Sequence, residues 1–243
     1  MRLLDLTLST PEENLAIDEV LLNESERFEV GEAGNFANVL RLWESPSPFV
    51  VIGRGSKRNI EANVSACEAA GVPILRRCSG GTAVVAGPGC LMYAVVLSYE
   101  EHPNLRSVDA AHQFVMTRMQ RALLTLSPEV QYRGSCDLAI GDRKISGNSL
   151  RCKRRHFLYH GKVLFDFPLE QISSYLGTPP RMPDYRAERT HGNFLTNFAF
   201  SKDAIRQAIV TEWQADTQLE AWPEAETMML AQQYAKAEWN ERL

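Results

Sequence analysis

Residues 76–83 read Arg-Arg-Cys-Ser-Gly-Gly-Thr-Ala and follow the apolar pair Ile74-Leu75. Adjacent glycines let a backbone approach a ligand closely, and their N–H groups can line an anion site. The two arginines add cationic donors suited to a phosphate or a carboxylate. The segment matches neither a Walker loop nor a dinucleotide fingerprint. Spacing alone therefore leaves two interpretations open, an anion-binding loop or a tight turn between strands.

A second segment, residues 137–149, combines a hairpin with a lysine. The pair Gly141-Asp142 separates Leu138–Ile140 from Arg143–Ile145, which predicts two strands joined by a tight turn. Lys144 lies at the end of this hairpin beside small residues, where its ammonium could contact a phosphate or an acyl oxygen. A lysine exposed to water on a hairpin explains the same fragment.

The rest of the chain predicts an α+β fold. Thr10, Pro11 and Glu13 form a capping-box pattern in front of a helix over residues 14–23. Most strand-like segments are joined by short turns, which favours a mostly antiparallel sheet flanked by helices. The strands are expected at 39–43, 49–52, 83–85, 91–99 and 162–167, and the further helices at 63–70, 110–126, 168–176, 201–214 and 224–238.

Composition narrows the function classes. The chain has 243 residues, a net charge of -4 and 44% hydrophobic residues, which fits one large globular domain or two small ones. An acidic chain is a poor general binder of nucleic acid, and no apolar run approaches the roughly 20 residues of a membrane span. The five cysteines are an odd number without paired metal spacing, and no signal peptide is evident, so we expect a reduced, cytoplasmic protein.

His156 and His160 are four residues apart and follow a basic run over residues 151–155. A helical pair with this spacing can bind zinc, but no third ligand follows, and Gly161 favours a loop. The basic run is interpreted as a solvated face or as a patch that attracts an acidic partner protein.

Taken together, these segments resemble the lipoate–protein ligase A family of the biotin/lipoate ligase and octanoyltransferase superfamily. The loop over 76–84 and the lysine segment 141–147, in this order and separation, carry most of the resemblance. Weaker similarity extends along most of the chain, at residues 14–19, 42–43, 50–54, 137–138, 159–161 and 234–240.

The resemblance implies an α+β fold of the class II synthetase and biotin-ligase kind, with residues 1–243 forming a single catalytic domain. It implies an enzyme that uses ATP and Mg²⁺ to convert lipoate into lipoyl-adenylate. The lipoyl group would then pass to one lysine of a lipoyl domain of a 2-oxoacid dehydrogenase or of a glycine-cleavage H protein. The preference between lipoate and octanoate stays open.

The resemblance also suggests roles for particular residues. Lys144 would hold the carboxylate and the α-phosphate and stabilise charge in both half-reactions. Asp137 would lie by the adenylate or its Mg²⁺, and His160 would line the acyl pocket. The adenylate and the lipoyl chain would contact Arg77, Ser79, Gly80, Gly81 and Thr82. Val84 and Val85 could contact the aliphatic chain or belong to the core.

This sequence departs from the family pattern at three places. Thr82 stands where a third glycine is common, and Cys136 stands where ligases often have Asn. The chain also ends where ligases continue into a small accessory domain, so activation could require a separate partner chain. Two alternatives stay open: a lipoyl or octanoyl transferase, for which Cys136 is the nearest candidate nucleophile, and a non-catalytic lipoate binder.

Overall fold

The computed structural model describes residues 1–29, 32 and 34–243. These residues form two sheets and nine α-helices. The strands are β1 (Arg2–Asp5), β2 (Val39–Trp43), β3 (Phe49–Ile52), β4 (Ile74–Arg76), β5 (Val84–Ala86), β6 (Cys90–Ser98), β7 (Val130–Arg133), β8 (Asp137–Ile140), β9 (Arg143–Cys152), β10 (His156–Leu164) and β11 (Thr217–Gln218).

The helices alternate with these strands along the chain. They are α1 (Pro11–Arg27), α2 (Arg58–Glu61), α3 (Val64–Ala69), α4 (Val108–Leu124), α5 (Glu170–Tyr175), α6 (His191–Phe194), α7 (Lys202–Trp213), α8 (Glu224–Tyr234) and α9 (Ala237–Asn240). Short 3₁₀ turns lie at Pro103–Arg106 and Asp184–Arg186. Within the described ranges, no helix is both long enough and apolar enough to cross a bilayer.

The main sheet has eight strands in the order β11-β1-β2-β6-β10-β9-β8-β7. From β2 to β7 every neighbouring pair is antiparallel, whereas β1 pairs in parallel with both β2 and β11. A smaller sheet has the order β4-β3-β5. The predicted α+β class with a mostly antiparallel sheet is therefore confirmed.

Helices cover both faces of the main sheet. Helices α4 and α7 pack on one face through a cluster that includes Leu40, Val95 and Tyr159. Helix α1 packs on the other face against Val39, Ala94 and Leu158 in the middle strands, and it also contacts α8. We call this second face the site face. As predicted, α1 begins with a capping box in which the Thr10 side chain and the Glu13 side chain each accept a backbone N–H.

The small sheet packs beside α1 at the end of the site face. One of its sides contacts α1, α8 and Trp43, and the other contacts α5, α6 and the end of β10. Buried Arg76 anchors this sheet, since its guanidinium donates to the carbonyls of Gly53, Ser56 and Asn240 at 3.0, 2.7 and 2.9 Å. The polypeptide loop between β4 and β5, residues 77–83, is thereby held at the edge of the site face.

A β-bulge in β9 sets the orientation of Lys144. Leu138 pairs with Ser146, but Ala139 pairs with Lys144, so Ile145 is an extra residue on β9. Residues three apart on a regular strand point to opposite faces, and a bulge reverses that relation. Lys144 and Gly147 consequently share the site face, and Lys144 Nζ lies 2.8 Å from the position that a Gly147 Cβ would occupy.

Most sequence-predicted elements are present within one to three residues of their expected bounds. The prediction of a loop at Gly161 is wrong, because His156–Leu164 is a continuous strand. Gly161 is required there for a packing reason: an added Cβ would lie 1.7 Å from Oδ1 of Asn148 on the neighbouring strand. The glycine therefore marks a close approach within the sheet.

We expect Gly53→Ala to destabilise the loop over residues 77–83. A Cβ at Gly53 would lie 2.0 Å from the carbonyl oxygen of Gly81, so the backbone of that loop must shift. Overpacking of this kind costs about 1–3 kcal/mol, which should appear as a lower melting temperature. Gly55→Ala is the matched control, since nothing lies within 4 Å of its added Cβ. Equal melting temperatures for the two variants would contradict the expectation.

Candidate active site

Cross-strand pairing arranges the polar residues of the site face in two rows. The first row runs Asp137, Gly147, Lys162, Met92 and Trp43 across five neighbouring strands. Directly paired residues point to the same face of a sheet, so these side chains lie side by side. The row therefore places Lys162 next to the glycine over which the Lys144 ammonium lies.

The second row, two residues along the same strands, contains Ser149, His160, Ala94 and Arg41. Because side chains alternate with a period of two, both rows share the site face. The small side chain of Ala94 separates His160 from Arg41, and helix α1 covers this part of the face. His160, one of the predicted site residues, is thus brought into the same face as Lys144.

The ammonium of Lys144 is paired before any ligand arrives. Its Nζ lies 2.7 Å from Oδ1 of Asp137, and the other carboxylate oxygen accepts a 2.8 Å hydrogen bond from the Tyr185 hydroxyl. The Lys144 backbone is fixed on two sides, by Ala139 and by a bridge to Leu195. Burial and the Asp137 charge raise the pKa of Tyr185, so this phenol stays a hydrogen-bond donor.

The loop over residues 77–83 presents unused backbone donors. Within the described part of the chain, the N–H groups of Gly80, Gly81 and Thr82 donate to no protein acceptor, whereas the next N–H, of Ala83, donates to Glu61 at 2.7 Å. Consecutive free amides are suited to an anion. Gly81 has a φ of +84° and Thr82 is not among the residues with positive φ, so a threonine is compatible with this position.

Arg77 organises this loop from within. Its guanidinium donates to the carbonyls of Gly80, Thr82 and Val51 and to the Ser79 hydroxyl, the last at 3.0 Å. Burial lowers the pKa of Arg77 to about 10. Most of its N–H groups are engaged by protein oxygens, so the contacts observed for Arg77 hold the loop in shape.

A chain of buried hydrogen bonds ties the loop to helix α1. Ser79 Oγ lies 2.6 Å from His160 Nε2, and His160 Nδ1 lies 3.4 Å from Oδ2 of Asp18. Asp18 also forms an ion pair with Arg41 at 2.7 Å. Because the Asp18 carboxylate can only accept a hydrogen bond, we infer that the neutral His160 ring carries its proton on Nδ1 and that Ser79 donates to Nε2.

The hydrogen-bonded series Asp18, His160 and Ser79 has the order of a catalytic triad, but its serine is not accessible from the large cavity. Ser79 is 0% exposed and does not border the large chamber described below, whereas Asp18 and His160 do. A nucleophile has to reach its substrate. In this arrangement Ser79, His160 and Asp18 act as a hydrogen-bonded support that holds the loop against α1.

Two chambers adjoin at Lys144. The large chamber, of about 540 Å³, has apolar walls that include Leu15, Trp43 and Met92. The small chamber, of about 80 Å³, lies against α5 and α6. We call the residues that border both chambers the saddle: Thr82, Val84, Lys144, Gly147 and Lys162. Val84 thus borders both chambers, whereas Val85 is fully buried in the core and borders only the small one.

Cys136 borders the large chamber as a protonated thiol. Its Sγ donates to the carbonyl of Asn148 at 3.1 Å. Burial raises the pKa of the Cys136 thiol, and the adjacent Asp137 charge raises it further against smaller opposing effects of Lys144 and Arg77. The environment of this cysteine therefore disfavours the thiolate that nucleophilic attack requires.

Asp137 was predicted to lie by a magnesium ion. Both of its oxygens are engaged, by Lys144 and by Tyr185. In the described ranges, no group of three or more His, Cys, Asp or Glu side chains is arranged to hold a metal. A resident Mg²⁺ would need more oxygen ligands than this single carboxylate provides. The side chains present do not fit a permanently bound magnesium ion.

The basic run is partly engaged in structural contacts. His156 and His160 lie on one strand about 13 Å apart along its axis, because each residue advances a strand by about 3.3 Å, so they do not form a zinc pair. His156 contacts Glu26 at 3.2 Å, and Arg155 pairs with Glu29 at 2.9 Å. Arg154 is exposed, as a solvated basic face requires.

The chain belongs to the lipoyl protein ligase A/B catalytic domain family, which matches residues 10–199. A relative from Aeropyrum pernix named "Putative lipoate-protein ligase A" is 30% identical over 162 residues, which cover 67% of this chain and 56% of the relative. The lipoate-protein ligase A of Psychrobacter cryohalolentis is 27% identical over 180 residues, which cover 74% of this chain and 48% of the relative. The matched region thus spans about half the length of these relatives.

Solved structures agree with the fold. A "putative lipoate protein ligase" from Thermoplasma acidophilum with bound lipoic acid superimposes with a TM-score of 0.78 at 21% identity, covering 99% of this chain and 98% of that one. A structure described as a bipartite lipoate protein ligase and its E2 lipoyl domain from the same organism gives 0.78 at 21% identity, with coverages of 99% and 95%. A lipoate-protein ligase A bound with ATP gives 0.76 at 22% identity, with coverages of 99% and 98%.

The sequence-predicted site residues gather around the saddle, with two additions. Lys144 and Thr82 belong to it, whereas Ser79 and Gly80 border neither chamber. The other predicted site residues border the large chamber: Arg77, Gly81, Cys136, Asp137 and His160. Sequence reasoning missed Asp18 and Lys162. Asp18 lies four residues after Asn14 within the helix segment that carries the family resemblance, and this i, i+4 spacing was the available signal.

We expect Asp18→Asn to lower the free energy of unfolding by about 3–5 kcal/mol, because it leaves the fully buried Arg41 without its counter-charge. The same change removes the carboxylate that orients His160, so ¹⁵N NMR of the imidazole should show a loss of the Nδ1–H tautomer. Asp109→Asn in the first turn of α4 is the control for removing a helix carboxylate. An unchanged melting temperature and tautomer in the Asp18 variant would contradict the described hydrogen-bond chain.

Proposed function

We propose that this chain catalyses the formation of lipoyl-adenylate from lipoate and ATP and the transfer of the lipoyl group to a lysine of an acceptor protein. The observation that carries the proposal is the position of Lys144. Its ammonium lies where two chambers meet, and Thr82, whose backbone N–H is free, borders the same two chambers. An acyl-adenylate has an acyl part and a nucleotide part joined by an anionic centre, and this site offers two compartments joined by donors.

In the first half-reaction, a lipoate carboxylate oxygen attacks the α-phosphorus of ATP and pyrophosphate leaves. The apolar walls near Leu15, Trp43 and Met92 suit the aliphatic chain, which would direct the carboxylate toward Lys144. Negative charge develops on oxygens at the saddle, where the ammonium and the loop amides stabilise it. Asp137 positions the Lys144 ammonium until the substrate anion takes its place.

Magnesium enters this scheme with the nucleotide. Mg²⁺ is usually held by substrate phosphates plus one or two carboxylates. Asp137 is the carboxylate nearest to the proposed phosphate position, and it would contribute an oxygen once the anion draws Lys144 away. The ion is accordingly part of the ATP substrate, and no resident metal is required.

In the second half-reaction, the amine of an acceptor lysine attacks the carbonyl carbon of the acyl-adenylate, and AMP leaves. The tetrahedral centre that forms carries an oxyanion at the same saddle, so the same donors serve both steps. We propose that the acceptor is a lipoyl domain of a 2-oxoacid dehydrogenase or a glycine-cleavage H protein. The similar Thermoplasma ligase, described together with an E2 lipoyl domain, supports the first of these.

We further propose that activation uses a separate accessory chain. The support is the similar Thermoplasma ligase, which is described as bipartite. The transfer step requires only the saddle, the chambers and an accessible acceptor lysine, so it should proceed without that partner. The two half-reactions can therefore be assayed separately, with and without the accessory chain.

The test is the intact mass of an apo lipoyl domain after incubation with this chain. One reaction contains lipoate, ATP and Mg²⁺, and a parallel reaction contains synthetic lipoyl-adenylate. Acceptor lipoylation in the second reaction is expected in either case, and lipoylation in the first reaction shows that activation needs no partner. No mass gain in either reaction, also with a candidate accessory chain added, would contradict the proposed ligase.

We expect Lys144→Met to reduce the transfer rate from lipoyl-adenylate by about 10²–10³, the usual loss when one donor to a developing oxyanion is removed. The measurement is the initial rate of acceptor lipoylation with saturating adenylate. The chain's fold should survive, since the side chain is 24% exposed.

Cys136→Ser is the companion variant in that assay. The protonated Cys136 thiol donates only to a backbone carbonyl, and a serine hydroxyl can do the same. Lipoylation by this variant should stay within about twofold of wild type. A loss as large as that of Lys144→Met would favour the transferase alternative with a thioester on Cys136. A non-catalytic binder would give no turnover with any of these proteins.

A further inference from the structure

Lys162 is a buried cation that the scheme above does not use. The residue is only 6% exposed, and its ammonium donates to the carbonyl of Val85. Its Nζ also lies 5.6 Å from the centroid of the Phe167 ring. Within the described residues, no Asp or Glu oxygen lies within ion-pairing distance of this ammonium, since it takes part in none of the salt bridges there.

Among the residues that the structure describes, three other buried cations, Arg41, Arg76 and Arg77, have most of their N–H groups engaged. Arg41 faces the carboxylate of Asp18, and the guanidinium groups of Arg76 and Arg77 each bind several backbone carbonyls. A lysine ammonium carries three N–H donors, and Lys162 uses one of them. Burying a charge without a partner costs several kcal/mol of free energy, so buried charges in proteins are usually paired with a counter-charge or a ligand.

Lys162 lies at the saddle, close to Lys144. Lys162 pairs directly with Gly147, and the Lys144 ammonium lies above that glycine. Both lysines border both chambers. Burial lowers the pKa of Lys162. The neighbouring Cys90 opposes this effect, and the positive charges of Lys144 and Arg77 add smaller lowering effects.

We propose that Lys162 is a second anion-binding cation of this site and that, together with Lys144, it holds the acidic junction between the acyl and nucleotide parts of the ligand. This assignment rests on the proposed function. Before activation the junction is the lipoate carboxylate beside the α-phosphate of ATP, and afterwards it is the acyl phosphate. The ligand thus supplies the counter-charge that the protein does not give to Lys162.

Stability and binding should therefore respond to Lys162→Met in opposite directions. Methionine keeps the unbranched apolar stem beside Phe167 and removes the unpaired charge. The variant should melt at the same temperature as wild type or higher, because replacing a buried charge by an apolar group of similar volume is often neutral or stabilising. A lysine with a structural role would instead lose stability when it is replaced.

The binding test uses two analogues of lipoyl-adenylate that cannot react, measured by calorimetry on the full chain. One has an anionic sulfamoyl linker between the lipoyl group and the adenosine, and the other has a neutral amide linker. Lys162→Met should weaken binding of the anionic analogue by roughly 10–100-fold, as expected for lost hydrogen bonds to a charged group. Binding of the neutral analogue should change by less than about threefold.

Lys153→Met is the matched control, because its ammonium binds Asn23 outside both chambers. It should bind both analogues like wild type. Unchanged binding of the anionic analogue by Lys162→Met would overturn the role of Lys162 and leave the proposed function intact. Equal weakening of both analogues with a lower melting temperature would also overturn it, in favour of a structural lysine. Failure of wild type to bind either analogue would overturn the proposed function itself and this assignment with it.

Discussion

The register of the central strands determines which side chains can meet on the site face. Asp137, Gly147, Lys162, Met92 and Trp43 share one row because each is directly paired with the next. A register shift of one residue between β9 and β10 would separate Lys162 from Gly147. It would also move the side chains of one of these strands to the opposite face of the sheet. The large apolar cluster under α4 and α7 prevents such a slip, since its members occupy the alternate positions of the same strands. The apolar packing under α4 and α7 therefore determines which side chains lie next to one another on the site face.

Five cationic side chains that are buried or half-buried divide into two groups according to the groups that they contact. Arg41 and Arg76 stabilise the fold, because an aspartate or several backbone carbonyls engage most of their N–H groups within the protein. Arg77 belongs to the same group and holds the loop over residues 77–83. Lys144 and Lys162 differ, since the first pairs with the single carboxylate of Asp137 and the second donates to a single backbone carbonyl. An arginine fork suits permanent carbonyl contacts, whereas a compact ammonium suits a ligand that arrives and leaves.

Local sequence signals predicted most of the longer elements and the two main motifs, but not the strands β1, β4, β7 and β11 or the long-range contacts. The Thr10 capping box and the turn at Gly141-Asp142 are local, and the structure has both. Asp18 and Lys162 were missed because their partners lie 23 to 142 residues away along the chain, so no short window contains the contact. The loop expected at Gly161 was wrong for a related reason. A glycine commonly marks a turn, but here it leaves space for a side chain of a neighbouring strand.

In the proposed function, one set of donors serves two different reactions. Attack on the α-phosphorus and attack on the acyl carbon involve different atoms, yet both place negative charge on oxygens between the acyl chain and the nucleotide. Donors that are fixed before the reaction need no reorganisation when that charge develops. The loop amides have this property because Arg77 and Ser79 hold their backbone. The backbone of Lys144 is likewise held by β8 and Leu195, so only its side chain has to move from Asp137 to the substrate. The rigid sheet and the internally bonded loop are therefore the physical reason that a single saddle is suited to both steps.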